Sequence, residues 1–263
     1  PLFSGSDVKV SSNLGLDKHD VVRISPSKMM VYKACSKQFY YKYDYVEEEP
    51  LPDRIFNFYA LRGTAVHDVI DRIIKSFPHC RVGDLLDTPL QRFVTLCEDT
   101  LKEHQNKEGV ELPLSLVSKF DKSFSDTWHT LQEQMKPFED WSIISEYPIS
   151  SKSLKFNKKY RRKYELYGII DYILRSPDKS KILILDGKTS GTVGKNVDNL
   201  QLQFYMFLYF LRFKEFPTQA GFLYFIKNKL KLLPVKDSNP ENIKNFYYNI
   251  LDFIQRTEDK DYI

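Results

Sequence analysis

A chain of 263 residues that is 42% hydrophobic can bury a substantial core without disulfides or structural metals. Charged residues make up 28% and aromatic residues 14%, with only 10 Gly and 13 Pro, which excludes collagen, coiled-coil and mucin-like classes and disordered linkers. Lys and Arg outnumber Asp and Glu by 39 to 35, a balance that permits a nucleic-acid partner without demanding one.

Residues 1–23 are read as a loose N-terminal arm and 24–263 as one domain. No apolar run approaches the length of a membrane span, and the start of the chain lacks the basic-then-apolar layout of a secretory signal. The expectation is a soluble intracellular protein with no membrane association, in the cytoplasm or nucleoid, or in an organelle if a transit peptide has been removed. Cys35, Cys80 and Cys97 match neither a disulfide framework nor a C-x-x-C knuckle and read as reduced thiols.

Ser25-Pro26-Ser27 opens a helix, with a capping hydroxyl and a proline in the first turn, expected to run to about Tyr45. Leu61, Ala65, Val69, Ile73 and Ile74 give a helical period over 60–77, and further helices are expected over 84–106 and 115–136. From Trp141 the period becomes two, predicting strands over 142–149, 164–174 and 181–186 in antiparallel succession. A helix over 197–213, strands over 219–226 and 229–235, and a helix over 240–256 complete the order. The fold class is α/β, with a helical region over 24–140 and a sheet core with a C-terminal helix over 141–263.

Asp186 and Lys188 lie two apart on a strand, so their side chains leave one face, and Gly187 adds no bulk between them. Asp171, in Gly168-Ile169-Ile170-Asp171, sits on the preceding strand, where a hairpin can bring it level with Asp186. Two carboxylates about 4 Å apart repel by roughly 4 kcal/mol at an effective dielectric of 20, so the pair must share a proton, stay solvated or hold a cation. An oxygen-rich site of this kind suits Mg2+ or Mn2+, and with Lys188 beside it the chemistry served is phosphodiester hydrolysis, with catalytic roles for Asp171, Asp186 and Lys188. Taken alone, Asp-x-Lys is a common accident of composition.

Its neighbours change that weighing. Gly63-Thr64-Ala65-Val66-His67 lies on a helix upstream and Gln201-Leu202-Gln203-Phe204-Tyr205 on a helix downstream. The ordered set G-x-x-x-H, G-x-x-D, D-x-K and Q-x-x-x-Y resembles the RecB-like nucleases of the PD-(D/E)XK superfamily, which include the CRISPR-associated adaptation nucleases and the mitochondrial genome maintenance exonuclease. The lead-in Ile24-Ser25-Pro26-Ser27 with Tyr32, Cys35, Phe39 and Tyr40 is similar to that group's N-terminal helix, and Lys188-Thr189 continues the D-x-K motif as the family does. The resemblance implies a restriction-endonuclease-like core of a helix, three antiparallel strands, a helix and a strand. It also implies metal ligation by His67, Asp171, Asp186 and the Gly187 carbonyl, Lys188 as the catalytic lysine, and Gln201 and Tyr205 facing the substrate. Glu146, on the first strand, is a candidate outer-shell acid. Relatives that hold an iron-sulfur cluster use cysteines near the C-terminus, which this chain lacks, so no cluster is expected and Cys35 is expected to pack as a small apolar residue.

Lys158, Lys159, Arg161 and Arg162 crowd the turn between the first two strands with Phe156, Tyr160 and Tyr164 interleaved, a candidate nucleic-acid contact. These readings predict a metal-dependent DNA nuclease, and the resemblance implies an exonuclease on single-stranded or flap ends in replication, repair or recombination, with a helicase or recombination protein as a candidate partner. The competing expectations are a structure-selective endonuclease and a non-catalytic module that binds DNA ends.

Overall fold

The structure, a computed structural model, describes residues 21–44, 57–151, 163–189, 199–233 and 239–259. In chain order its elements are β1 (Val21–Ile24), α1 (Pro26–Ala34), α2 (Ser36–Phe39), a π turn (Tyr40–Asp44), α3 (Phe58–Lys75), α4 (Val82–Leu86), α5 (Leu90–Glu108) and α6 (Leu114–Met135). After a 3-10 turn come β2 (Ser142–Ser150), β3 (Lys163–Arg175), β4 (Ile182–Lys188), α7 (Leu200–Phe213), β5 (Gln219–Tyr224), a second 3-10 turn (Phe225–Lys227), β6 (Lys229–Leu232) and α8 (Pro240–Glu258).

The strands form one sheet in the order β1-β3-β4-β5-β6, with β2 also pairing with β3. β2, β3 and β4 are antiparallel in succession, and β4 then pairs parallel with β5 after the crossover through α7. β4 begins Ile182-Leu183-Ile184-Leu185 and is buried along nearly its whole length, as a central strand covered on both faces requires. One face of the sheet, through Tyr172, Leu174, Leu183, Leu185 and Leu223, packs with α3, α4, α5 and α6. The other, through Ile170, Ile173, Ile184, Phe222 and Tyr224, packs with α1, α2, α7 and α8.

Three details differ from the expected element map. Val21–Ile24, at the end of the expected loose arm, pairs parallel with β3, because Ile24 is an apolar residue that becomes fully buried there. The first helix stops at Ala34. Cys35 takes an extended backbone and its Sγ accepts from Gln38 N, so the chain restarts as α2 and turns Phe39 into an aromatic cluster with Tyr32, Tyr43 and Phe253. Cys35 is therefore an exposed cap and not a packed core residue, whereas Cys80 and Cys97 are buried. The helix expected over 84–106 is two helices, since Pro89 lacks an N–H and forces the residue before it out of helical geometry.

Candidate active site

The candidate residues gather around the C-terminal end of β4. Helix α3 lies against that end, held by contacts too close for any side chain larger than hydrogen. A Cβ at Gly63 would lie 2.6 Å from Thr189 Oγ1, and one turn further a Cβ at Gly187 would lie 2.9 Å from His67 Cε1. Gly168, on β3, meets the Tyr205 ring of α7 in the same way, at 3.0 Å. The motif glycines are thus the points where one motif-bearing element touches the next.

On the α3 side, His67 Nδ1 lies 3.5 Å from Glu146 Oε1 and 3.7 Å from Asp171 Oδ2. Asp171 Oδ2 also accepts from Gly187 N at 2.8 Å, which fixes the carboxylate against β4. One ligand atom from each of His67, Glu146 and Asp171 falls within 4.8 Å of the others. The His67 ring stacks on Tyr172, with centroids 6.2 Å apart, so the imidazole is held between that ring and the backbone of Gly187.

The backbone beneath this triad is irregular. The β2–β3 register runs Ser145 opposite Tyr172 and Tyr147 opposite Ile170, which leaves Glu146 facing Asp171 at a break in the ladder. Ile143 and Tyr172 pack with the α3-side core, whereas Tyr147, Ile149 and Ile170 pack with the α7-side core. A regular pleat would keep residues of like parity on one face, so both strands change face at this pair. Glu146 takes φ 44°, left-handed backbone that is uncommon for a residue with a side chain and that clusters at functional sites. Ser145 Oγ donates to Asp71 Oδ1 at 2.7 Å, tying the start of the irregularity to α3 one turn beyond His67.

On the α7 side, Asp186 is 2% exposed and its Oδ2 is 2.5 Å from Lys188 Nζ. Gln201 bridges the pair: Nε2 donates to Asp186 Oδ1 at 2.8 Å, Oε1 accepts from Lys188 Nζ at 3.0 Å, and Nε2 is also 3.3 Å from Tyr205 Oη. Asp186, expected among the ligands, stands beside the His67 triad: Oδ1 is held by Gln201, while Oδ2, paired in charge with Lys188, has no hydrogen-bond partner among the described residues. Glu146, expected outside the ligand set, lies within the triad. Lys158, Lys159, Arg161 and Arg162 lie outside the described residues.

Burial raises the Asp171 carboxyl to about 7, helped by the negative charge of Asp186 and opposed by His67 and the Gly187 N–H. Burial pushes Asp186 up as well, against the pull of Lys188. His67 goes the other way from a buried imidazole in isolation: burial disfavours its charge, but the Glu146 hydrogen bond and the charges of Asp171, Glu146 and Asp186 outweigh that and raise it. Burial and the Asp186 charge keep the Tyr205 phenol protonated. Asp171 and Asp186 are crowded, dry and drawn toward holding protons, the condition that a bound cation relieves. One imidazole nitrogen and two carboxylates form a donor set that fits a divalent metal ion.

Sequence reasoning passed over Arg62, although it directly precedes Gly63. Its guanidinium is buried, donates to Thr189 O at 2.5 Å and lies over the rings of Tyr59 and Phe120 at 5.5 and 5.4 Å. Desolvation lowers its pKa, and the contact anchors the residue that follows Lys188. Asp71 and Ser145 were also missed, since nothing in their spacing marks two residues 74 positions apart as a pair.

A family model described as the PD-(D/E)XK nuclease superfamily matches residues 23–260. A search of curated proteins found no match. Among the described residues no helix is long and apolar enough to cross a membrane.

Proposed function

Because the chain belongs to the PD-(D/E)XK nuclease superfamily, a family of metal-dependent nucleases, we propose that it hydrolyses DNA phosphodiester bonds with Mg2+ or Mn2+, acting from single-stranded or flap ends. The observation that carries this reading is the meeting of the His67, Glu146 and Asp171 ligand atoms beside the Asp186–Lys188–Gln201 network. His67, Glu146 and Asp171 would hold the metal, with Asp186 and the Gly187 carbonyl at its side. When bound, such an ion polarises a phosphoryl oxygen and lowers the pKa of a coordinated water.

The chain's own groups supply the rest. Gln201 and Asp186 hold the Lys188 ammonium in one position, so its charge offsets that of the phosphate in the transition state and its N–H groups orient the attacking water. Fixing that group beforehand avoids reorganisation during the reaction. Gln201 shares its amide between Asp186 and Tyr205, which keeps the acceptor side of Asp186 from turning away. Placement in replication, repair or recombination, beside a helicase or recombination protein, belongs to the same proposal.

The test is cleavage of single-stranded and duplex DNA labelled at the 5′ or the 3′ end, with Mg2+, Mn2+ or EDTA, beside the Asp186→Ala protein. Metal-dependent loss of one end label before the other, absent in the variant, is the expected result. Uniform internal cutting would make the protein an endonuclease. DNA binding without cleavage under any condition would replace the catalytic reading with that of an end-binding module, and undiminished cleavage by Asp186→Ala would sink the site assignment.

A further inference from the structure

The catalytic face of β4 continues across the sheet to its last strand. Lys188 is in register with Tyr224 of β5, which is opposite Lys229 of β6, and Asp186 is in register with Phe222, which is opposite Lys231. Directly opposed residues of neighbouring strands share a face, so Lys188, Tyr224 and Lys229 form one row and Asp186, Phe222 and Lys231 a second. Lys188 Nζ lies 5.4 Å from the Phe222 ring centroid, within the second row. Leu230 and Leu232 point the other way, into the α3-side core. At about 4.8 Å per strand, Lys229 stands roughly 10 Å from Lys188 along the row.

Lys227 and Lys229 are exposed, Lys231 is half-buried, and none of the three makes an ion pair among the described residues. Lysines on an edge strand also guard it against pairing with another sheet, so exposure alone assigns them nothing. Two further observations do. The Tyr224 hydroxyl, in the row between Lys188 and Lys229, is buried and has no hydrogen-bond partner among the described residues, which leaves a donor unused beside the site. The β5–β6 turn is also clamped from below by α6. Thr130 Oγ1 donates to Phe225 O, Gln134 Nε2 donates to Asn228 Oδ1, and Gln134 Oε1 accepts from Leu230 N. A backbone fixed in this way presents its lysines with less ordering to be lost on binding.

Resting on the nuclease reading, we propose that the β5–β6 turn and β6 form the track for the nucleic-acid strand next to the scissile phosphate, with Lys227, Lys229 and Lys231 as its backbone phosphate contacts. The lysines carry no base-reading geometry, so the track binds strands of any sequence and its strength falls with salt.

The test is binding of a labelled single-stranded oligonucleotide in EDTA, where no cleavage intrudes, across a salt series. In the variant Lys227→Ala/Lys229→Ala/Lys231→Ala, the slope of log affinity against log salt should fall by about 2, at about 0.7 per phosphate contact on a single strand. The advantage of a long oligonucleotide over a trinucleotide should shrink with it, while Mn2+ affinity by calorimetry stays unchanged. Lys227→Ala/Lys229→Ala, confined to exposed positions, should give about two thirds of the effect should the half-buried Lys231 site disturb folding, and arginine at the same two positions should restore it. Lys179→Ala/Lys181→Ala, at the far end of β4, should leave the slope unaltered. An unchanged slope in the triple variant, or an equal loss in the Lys179/Lys181 control, overturns the track. The nuclease reading fails separately, if the parent cleaves no DNA with Mg2+ or Mn2+ while still binding the oligonucleotide; a parent protein that binds no oligonucleotide overturns the track.

Discussion

The two sides of β4's C-terminal end solve opposite electrostatic problems. On the α7 side, the charge of Asp186 is opposed within the protein: the Lys188 ammonium lies 2.5 Å from Oδ2 and the Gln201 amide donates to Oδ1. On the α3 side, Glu146 and Asp171 face each other with only a histidine between them, one of them in left-handed backbone and the other pushed up to about 7. The first is an ion pair braced by an amide, and the second is a set of donors in which two carboxylates share one imidazole, an arrangement that a bound cation stabilises. Gly187 belongs to both, since its missing side chain admits His67 on one face and its N–H holds Asp171.

The largest expected effect falls on the α7 side. Lys188→Ala should reduce cleavage to the level of the metal-free control while leaving Mn2+ affinity unchanged, as read by single-turnover cleavage and calorimetry; a matching loss of metal affinity would erase the distinction between the two sides. His67→Ala should do the converse, weakening Mn2+ binding roughly 10–100-fold or more, with cleavage recovered in part by raising the metal concentration. Recovery in Lys188→Ala by the same treatment would break the comparison.

Gly187→Ala strikes the shared point. Its Cβ would lie 2.9 Å from both His67 Cε1 and the buried Phe225 ring, and such overpacking should destabilise the fold by about 1–3 kcal/mol in urea unfolding. Glu146→Gly should act with opposite signs on two measurements. Removing roughly 1–2 kcal/mol of left-handed strain, less the ~0.5–1 kcal/mol entropy cost of glycine, should stabilise the metal-free fold by about 0.5–1 kcal/mol, while metal affinity falls. Stability lost along with metal binding would show that the side chain, and not the ligand geometry, supports the backbone.

A pH series on the metal-free protein sharpens the contrast further. Asp171 is raised in the folded state from 3.8 to about 7, so the folded protein holds a proton there that the unfolded chain has released. Its contribution to stability is fully present below about pH 4 and is lost as pH rises through about 7. His67, also raised, adds loss in the same direction. Asp171→Asn should flatten the decline between pH 4 and 7 in chemical unfolding, and an unaltered slope would remove the buried proton from the account.

Much of this was legible in the chain because it rests on local periodicity. Helices α3, α6, α7 and α8 and strands β2 to β6 follow their patterns to within a few residues, and the same-face placement of Asp186 and Lys188 needs only the two-residue repeat of a strand. Pro89, by contrast, was written in the sequence and carried a break that the longer apolar period concealed. The role of Cys35 as a cap and the addition of Val21–Ile24 to β3 depend on partners far along the chain, which no window of neighbours contains.

By itself, the sequence determined the order of elements, the apolar faces and which polar residues share a strand face or a helix turn, because those follow from dihedral periods that each segment sets alone. Only the tertiary structure decided that Glu146 joins His67 and Asp171, that both strands change face beneath them, that Arg62 and Asp71 brace the site, and that Lys229 stands in line with Lys188. Those facts depend on how separate elements come into register and pack, and that is fixed by the fit of whole surfaces and not by the spacing of residues along the chain.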